Sequence, residues 1–134
     1  ILVKDYMDRN PHAVLDSTNV KDVVEHLLKD QVIGAPVIDS NGKLVGYVSE
    51  QDCIKEMLND AFYCEEPTTV NNVMVTDVKA VKPDSSIVEI AQTMLHERPK
   101  NYPVVSDDKL VGVITRTHVL KALLKNEQDC YLKH

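Results

Sequence analysis

Residues 43–52 read K-L-V-G-Y-V-S-E-Q-D, and residues 109–118 read K-L-V-G-V-I-T-R-T-H. Each stretch is a short, β-branched apolar run ending on a hydroxyl residue, Ser49 or Thr115, with helical spacing immediately after it. This pattern delivers the end of a strand to the first turn of a helix. A helix N-terminus carries unpaired backbone N–H groups and a partial positive charge, which suit an anion such as a phosphate. The two corners differ in chemistry at their last position, Asp52 against His118. Such a chain is built to hold something twice, and unequally.

Working outward, the rest of the chain repeats with them. Val3-Lys-Asp-Tyr-Met7 aligns with Val70-Asn-Asn-Val-Met74, Ala13-Val14 with Ala80-Val81, and Ala35-Pro-Val-Ile38 with Tyr102-Pro-Val-Val105. Val20, Val23, Val24, Leu27 and Leu28 match Ile87, Ile90, Ala91, Met94 and Leu95, each set spaced as one apolar helix stripe. Asn19 is the expected N-cap of the first helix, and Ser86 with Glu89 forms the expected capping box of the second. Strands are predicted at His12–Leu15, Lys79–Val81, Ala35–Ile38 and Leu44–Ser49, with a hairpin turn at Asp39-Ser-Asn-Gly42 that loses one residue in the second copy. A closing helix in each copy is predicted to turn Cys53, Ile54, Met57 and Leu58, or Val119, Leu120, Leu123 and Leu124, inward. The four methionines, Met7, Met57, Met74 and Met94, are read as core.

The fold class that follows is mixed α+β: two β-α-β-β-α repeats packed about a pseudo-twofold axis. Repeat 1 covers 1–60, a linker 61–69, repeat 2 70–125, and a polar tail 126–134 is expected to fray. One copy of roughly 60 residues would bury too little apolar surface to be comfortably stable alone.

Composition narrows the function. The chain has 134 residues, 43% of them hydrophobic, enough for a packed core. A net charge of -6 argues against nucleic-acid binding, which needs a basic face. No apolar run approaches the ~20 residues of a membrane span, and no signal-peptide pattern is present. Cys53, Cys64 and Cys130 form no C-x-x-C pair, so reduced thiols in a cytoplasmic setting are expected. The five histidines lack metal-ligand spacing. Beginning at Ile1 rather than at a methionine, the sequence reads as a possible piece of a longer protein.

The paired pattern V-x-x-x-M, x-x-P-V-[IV], G-[YV]-[VI]-[ST]-x-x-[DH] over Val3–Leu124 resembles a tandem pair of cystathionine β-synthase (CBS) domains, a Bateman module. The resemblance implies a regulatory module rather than an enzyme. It implies no required cofactor and an adenosyl ligand (AMP, ADP, ATP or S-adenosylmethionine) in clefts between the copies. It also implies a disc-shaped homodimer and an effector protein or domain that reads the bound state. One cleft would join Thr76, Val78, Lys79, Ala80, Lys100, Asn101, Tyr102 and Pro103 to Val48, Ser49, Gln51 and Asp52. The other would join His12, Ala13, Ile33, Gly34, Ala35 and Pro36 to Ile114, Thr115, Arg116, Thr117 and His118. No residue is assigned a catalytic role and none is assigned to a metal.

A carboxylate can accept both ribose hydroxyls, whereas a neutral imidazole offers one acceptor. The Asp52 cleft is therefore expected to be the good site and the His118 cleft weak, empty or retuned. Two alternatives stand beside this reading. Ser49-x-x-Asp52 is also a plain capping box. The whole pair is also compatible with a ligand-free dimerisation module within a larger enzyme or transporter. An enzyme built on Ser49, Asp52 and His118 has little support, because Ser49 and His118 fall in opposite copies and no nucleophile–base motif joins them.

Overall fold

Asn19 stands in extended backbone and its side-chain oxygen accepts the Asp22 N–H at 2.9 Å, which starts helix α1 (Val20–Asp30) as expected. The helix stops where Gln31 turns left-handed, φ 55°, and its N–H bonds back to the Leu27 carbonyl. The computed structural model describes residues 1–63, 68–97 and 101–132. Expectations placed on Cys64, Lys100 and His134 lie outside these.

Strands β1 (Val14–Leu15), β2 (Gly34–Ile38) and β3 (Leu44–Ser49) form one sheet, β1 parallel to β2 and β2 antiparallel to β3. The β2–β3 turn has the expected chemistry. The Asp39 carboxylate accepts the N–H groups of Asn41 and Lys43 at 2.9 and 3.0 Å, and Gly42 takes φ 82°. Helix α2 (Glu50–Tyr63) follows β3 directly. The second copy repeats the plan with helix α3 (Ile87–His96), the β4 (Asn101–Ser106) and β5 (Lys109–Thr115) hairpin, and helix α4 (Arg116–Leu132). Its shorter turn places Asp107 and Asp108 at φ 51° and 65°, the left-handed pair a two-residue hairpin turn requires.

Several expectations are corrected. The first strand of each copy is shorter than predicted: Val14–Leu15 in one, and a single parallel bridge of Val81 to Val104 in the other. Proline is the reason. Val81 donates to the Pro103 carbonyl and accepts from Val105, so the next bond toward the N-terminus would need an N–H from Pro103, which has none. Val14 pairs with Val37 in the same register, which sets Pro36 against His12. The His12 carbonyl is taken instead by His26 Nε2 at 2.8 Å. Ser86 makes no side-chain cap bond. The Ile87 N–H goes to the Ile1 carbonyl at 3.0 Å, so the chain's own backbone fills the first turn of α3. Helix α4 does not end near Lys125 but runs to Leu132, with Lys125 and Asp129 paired one turn apart at 3.2 Å.

The closing helices bury less than expected. Cys53 and Val119 are inward, but Ile54, Met57, Leu58, Leu120 and Leu124 are exposed and Leu123 is half-buried. Met57 is therefore not core. Leu28 and Leu95, at the edge of the α1 and α3 stripes, are exposed as well, at 72% and 81%. Periodicity identified these faces correctly as apolar, but each helix is wider in apolar residues than the sheet it covers.

The chain forms two compact units. One comprises Pro11–Val78 with Asp108–Leu110; the other comprises Ile1–Asn10, Lys79–Asp107 and Val111–His134. In the first, Val70 enters the core with Val14, Val20, Val23, Leu27, Ala35, Val37, Val48 and Cys53. Val70 N–H bonds to Thr18 and Val20 N–H to Thr68, while Val75 and Tyr47 exchange two bonds of 2.9 Å along the edge of β3. In the second, Val3 enters the core with Ile87, Ile90, Tyr102, Val104, Ile114, Val119 and Ala122. Asp8 and Val113 exchange bonds of 2.9 and 3.0 Å along the edge of β5. Each unit thus receives the opening segment of the other sequence repeat.

Candidate functional site

Within the first unit, β3 ends on Ser49 and hands it to α2. Ser49 Oγ accepts the Asp52 N–H at 3.2 Å and donates to Asp52 Oδ2 at 2.9 Å; the Ser49 N–H also reaches Oδ2, at 3.0 Å. This is a complete capping box. It occupies one carboxylate oxygen with two donors. An ionised carboxylate has about four acceptor positions, so Oδ1 keeps acceptor capacity for another molecule. Asp52 borders an open groove of about 570 Å³, lined further by Lys55, Glu56, Leu58 and Asn59 of α2 and by Asn72 and Val73. Volumes of this order are typical of small-molecule sites.

Within the second unit, β5 ends on Thr115 and hands it to α4. Here an imidazole takes the carboxylate's place. The Thr115 N–H donates to His118 Nδ1 at 3.0 Å, Thr115 Oγ1 lies 3.0 Å from the same nitrogen, and the His118 N–H reaches Thr115 Oγ1 at 3.4 Å. A backbone N–H can only donate, so Nδ1 holds a lone pair and the ring is neutral with its proton on Nε2. Burial pushes the His118 pKa below its ordinary value, with Lys121 in the same direction and Asp8 opposing. The sequence reading of a poor acceptor is sharpened: the single acceptor of the ring is already used inside the protein.

The segment before the first strand of each unit is tied to the end of its helix. His12 Nδ1 meets Asp30 Oδ2 at 2.8 Å, and His26 Nε2 stands 3.5 Å from the same oxygen. The hydrogen bond from His12 holds the Asp30 carboxyl below its usual range, partial burial opposes it, and the nearby His26 adds to the lowering. Lys79 pairs with Glu97 in the equivalent place. Asp30 and Glu97 were not singled out from the sequence. The signal was there: 97 − 30 and 79 − 12 both equal 67, so an acid recurs in register with each basic partner.

The remaining predicted residues divide by exposure. Gly34 is buried, as are the side chains of Val48, Ala35, Pro36, Ile114, Tyr102 and Pro103, so a ligand could meet only their backbone. Burial also raises the Tyr102 pKa, and the Tyr102 hydroxyl has no hydrogen-bond partner among the described residues. Gln51, Thr76, Lys79, Ala80, Ile33, Arg116 and Thr117 are exposed, and Ala13, Val78 and Asn101 are half-buried. In the first unit the structure brings together Val48, Ser49, Gln51 and Asp52; in the second it brings together Ile114, Thr115, Arg116, Thr117 and His118. Among the described residues, no group of three or more His, Cys, Asp and Glu is arranged to hold a metal, and no helix is long and apolar enough to cross a membrane.

The chain is similar to known proteins. The chain is 31% identical to an uncharacterized protein of Methanocaldococcus jannaschii, across 92% of both chains. The crystal structure of CBSX2 in complex with AMP, a protein of Arabidopsis thaliana, superposes with a TM-score of 0.82 at 32% identity, covering 94% of this chain and 98% of that one. The A-adding tRNA nucleotidyltransferase of Aquifex aeolicus is 31% identical over 90% of this chain, which spans only 14% of that enzyme. The CBS domain model matches residues 3–59 and again 70–125. With a match on each copy of the repeat, and with the strand-to-helix corner present in each unit, the chain belongs to the CBS domain family as a tandem pair.

Proposed function

We propose that the chain is a regulatory module that binds an adenosyl nucleotide, AMP being the first candidate, with Ser49 and Asp52 as its anchor. The observation that carries this reading is the divided carboxylate of Asp52. One oxygen caps α2, the other keeps acceptor capacity, and the residue borders a 570 Å³ groove. A ribose diol needs such an acceptor, and the α2 N-terminus next to it favours a phosphate. The AMP complex of CBSX2, a protein 32% identical to this chain, supports the choice of nucleotide. Thr76, Val78, Lys79, Ala80, Lys100, Asn101, Tyr102 and Pro103 are proposed on the family likeness to complete the site.

Calorimetry with AMP tests it. Wild type is expected to bind, and Asp52→Ala to lose about tenfold to a hundredfold in affinity, the value of a hydrogen bond to a charged group. Asp52→Asn keeps an oxygen for the cap and separates lost binding from a frayed helix. Full affinity in both variants overturns the assignment.

A second reading has its own observation. Ile54, Met57 and Leu58 on α2, and Leu120 and Leu124 on α4, are large exposed apolar side chains on otherwise charged helices. Faces of this kind favour association, so we read the chain as a homodimer whose helices are covered by a second copy. Coupling to an effector protein or domain, and a cytoplasmic setting consistent with the free, buried thiol of Cys53, belong to the same proposal. A thermal shift with AMP, ATP and S-adenosylmethionine separates sensing from pure scaffolding, because a ligand selective for the folded state raises the midpoint. No shift at millimolar concentration leaves the dimerisation module standing alone.

A further inference from the structure

We infer that Glu97 is a latch with two stations, the Lys79 ammonium at the surface and the buried Tyr102 hydroxyl beside it, and that drawing Lys79 away moves the carboxylate onto Tyr102. An anion at Lys79 as the trigger rests on the nucleotide reading; the latch itself does not.

The two units differ at one equivalent place. In each, an acid at the end of the first helix grips a basic residue ahead of the first strand: Asp30 with His12, and Glu97 with Lys79. Asp30 has a second basic neighbour, His26, at 3.5 Å. The residue equivalent to His26 is Thr93, since 93 − 26 is again 67, and its hydroxyl donates to the Glu89 carbonyl of its own helix at 3.1 Å. Helix α3 thus offers Glu97 no counterpart of His26. The strand carries one instead. Tyr102 stands where the first unit has Ala35, 102 − 35 being 67 as well. Counting two residues back from the parallel bridge of Val81 to Val104 sets Lys79 in register with Tyr102. Tyr102 is 1% exposed and its hydroxyl has no hydrogen-bond partner among the described residues, a state that costs stability. Burial raises the Tyr102 pKa, and the charges of Glu97 and Lys79 act on it in opposite directions, so both lie close to the hydroxyl.

The Glu97 backbone is held by its N–H bond to the Thr93 carbonyl at 3.0 Å, so only the side chain has to turn. On Lys79 the carboxylate makes an ion pair half in water; on Tyr102 it would make a charge-assisted bond inside the protein. The Tyr102 ring packs with Ile87 and Ile90 of α3 and with Val119 and Ala122 of α4, so the state of the latch reaches both helices.

Thermal unfolding of the whole chain tests the latch without a ligand. In wild type, Tyr102→Phe removes an unpaired hydroxyl and is expected to raise the midpoint by a few degrees. In the Lys79→Met background Glu97 has turned to the hydroxyl, and the same change is expected to lower the midpoint. Adding Glu97→Ala to that background is expected to restore the rise. Carbon-13 NMR reads the same event: the Tyr102 Cζ resonance is expected to move on Lys79→Met, but not when Glu97→Ala is also present. An effect of Tyr102→Phe with the same sign in both backgrounds, or a Cζ resonance indifferent to Lys79, overturns the latch. AMP then tests the trigger, and is expected to raise the midpoint of wild type more than that of Tyr102→Phe. An equal rise overturns the trigger while the nucleotide reading stands. No rise in either protein overturns the nucleotide reading, and the ligand-free comparison still decides the latch.

Discussion

Gly46 and Gly112 explain why the K-L-V-G stretches and the V-x-x-x-M segments occur in one chain. A Cβ on Gly46 would lie 2.4 Å from Met74 Sδ and 2.9 Å from the Val75 carbonyl oxygen; one on Gly112 would lie 2.7 Å from the Asp8 carbonyl oxygen and 3.0 Å from Met7 Sδ. The methionine can swing aside, but the backbone oxygen is held by its sheet bonds. Gly46→Ala is therefore expected to destabilise the protein by about 1–3 kcal/mol in urea unfolding, the usual cost of overpacking. His118 makes a prediction in pH at the same scale. An unfolded histidine takes a proton near pH 6.5, whereas burial and Lys121 hold His118 neutral to lower pH in the folded chain. As pH falls through that value the unfolded state binds a proton that the folded state refuses, so stability declines until the folded-state pKa is passed. His118→Asp is expected to remove this part of the decline. Asp30 contributes in a lower window. With its pKa depressed by His12, its stabilisation is present above about pH 4 and is lost as pH falls through the folded value.

Among the elements, the helices separate two kinds of apolar residue that sequence periodicity merges. Leu27 lies in the core with Val20 and Val23, and Leu27→Ala is expected to cost about 2–5 kcal/mol. Leu58 is 54% exposed on α2. Leu58→Lys is expected to change monomer stability by no more than about 0.5 kcal/mol. It is also expected to shift the protein from dimer to monomer in sedimentation equilibrium. A large stability loss without dissociation would mean that α2 is buried within its own chain. The strands show the complementary effect. Pro36 and Pro103 stop the first ladder of each copy after one or two residues, leaving His12 and Lys79 out of the sheet to pair with Asp30 and Glu97.

At the scale of the whole molecule, the repeat was legible and its assembly was not. Alignment of the copies placed Val3–Met7 and Val70–Met74 at the head of their own repeats. In the folded chain each segment packs in the other repeat's unit, where Val3 and Val70 are fully buried. Nothing in spacing distinguishes these outcomes, because the segments are alike: either would offer the same valine and methionine to either core. Two bonds of about 3 Å, Ile87 to Ile1 and Val20 to Thr68, show the consequence, since each helix N-terminus is closed by backbone from a distant part of the sequence.

The amino-acid order by itself determined the duplicated mixed fold, the hairpins, the first capped helix and both strand-to-helix corners, because turns, caps and apolar stripes are local chemistry. It also located the one acid that separates the corners, Asp52 against His118. Only the tertiary structure decided which apolar helix faces stay outside, that α4 continues to Leu132, and that His118 spends its lone pair on Thr115. These depend on what lies opposite each group in space: how much helix surface a small sheet covers, and which donor reaches a ring nitrogen first.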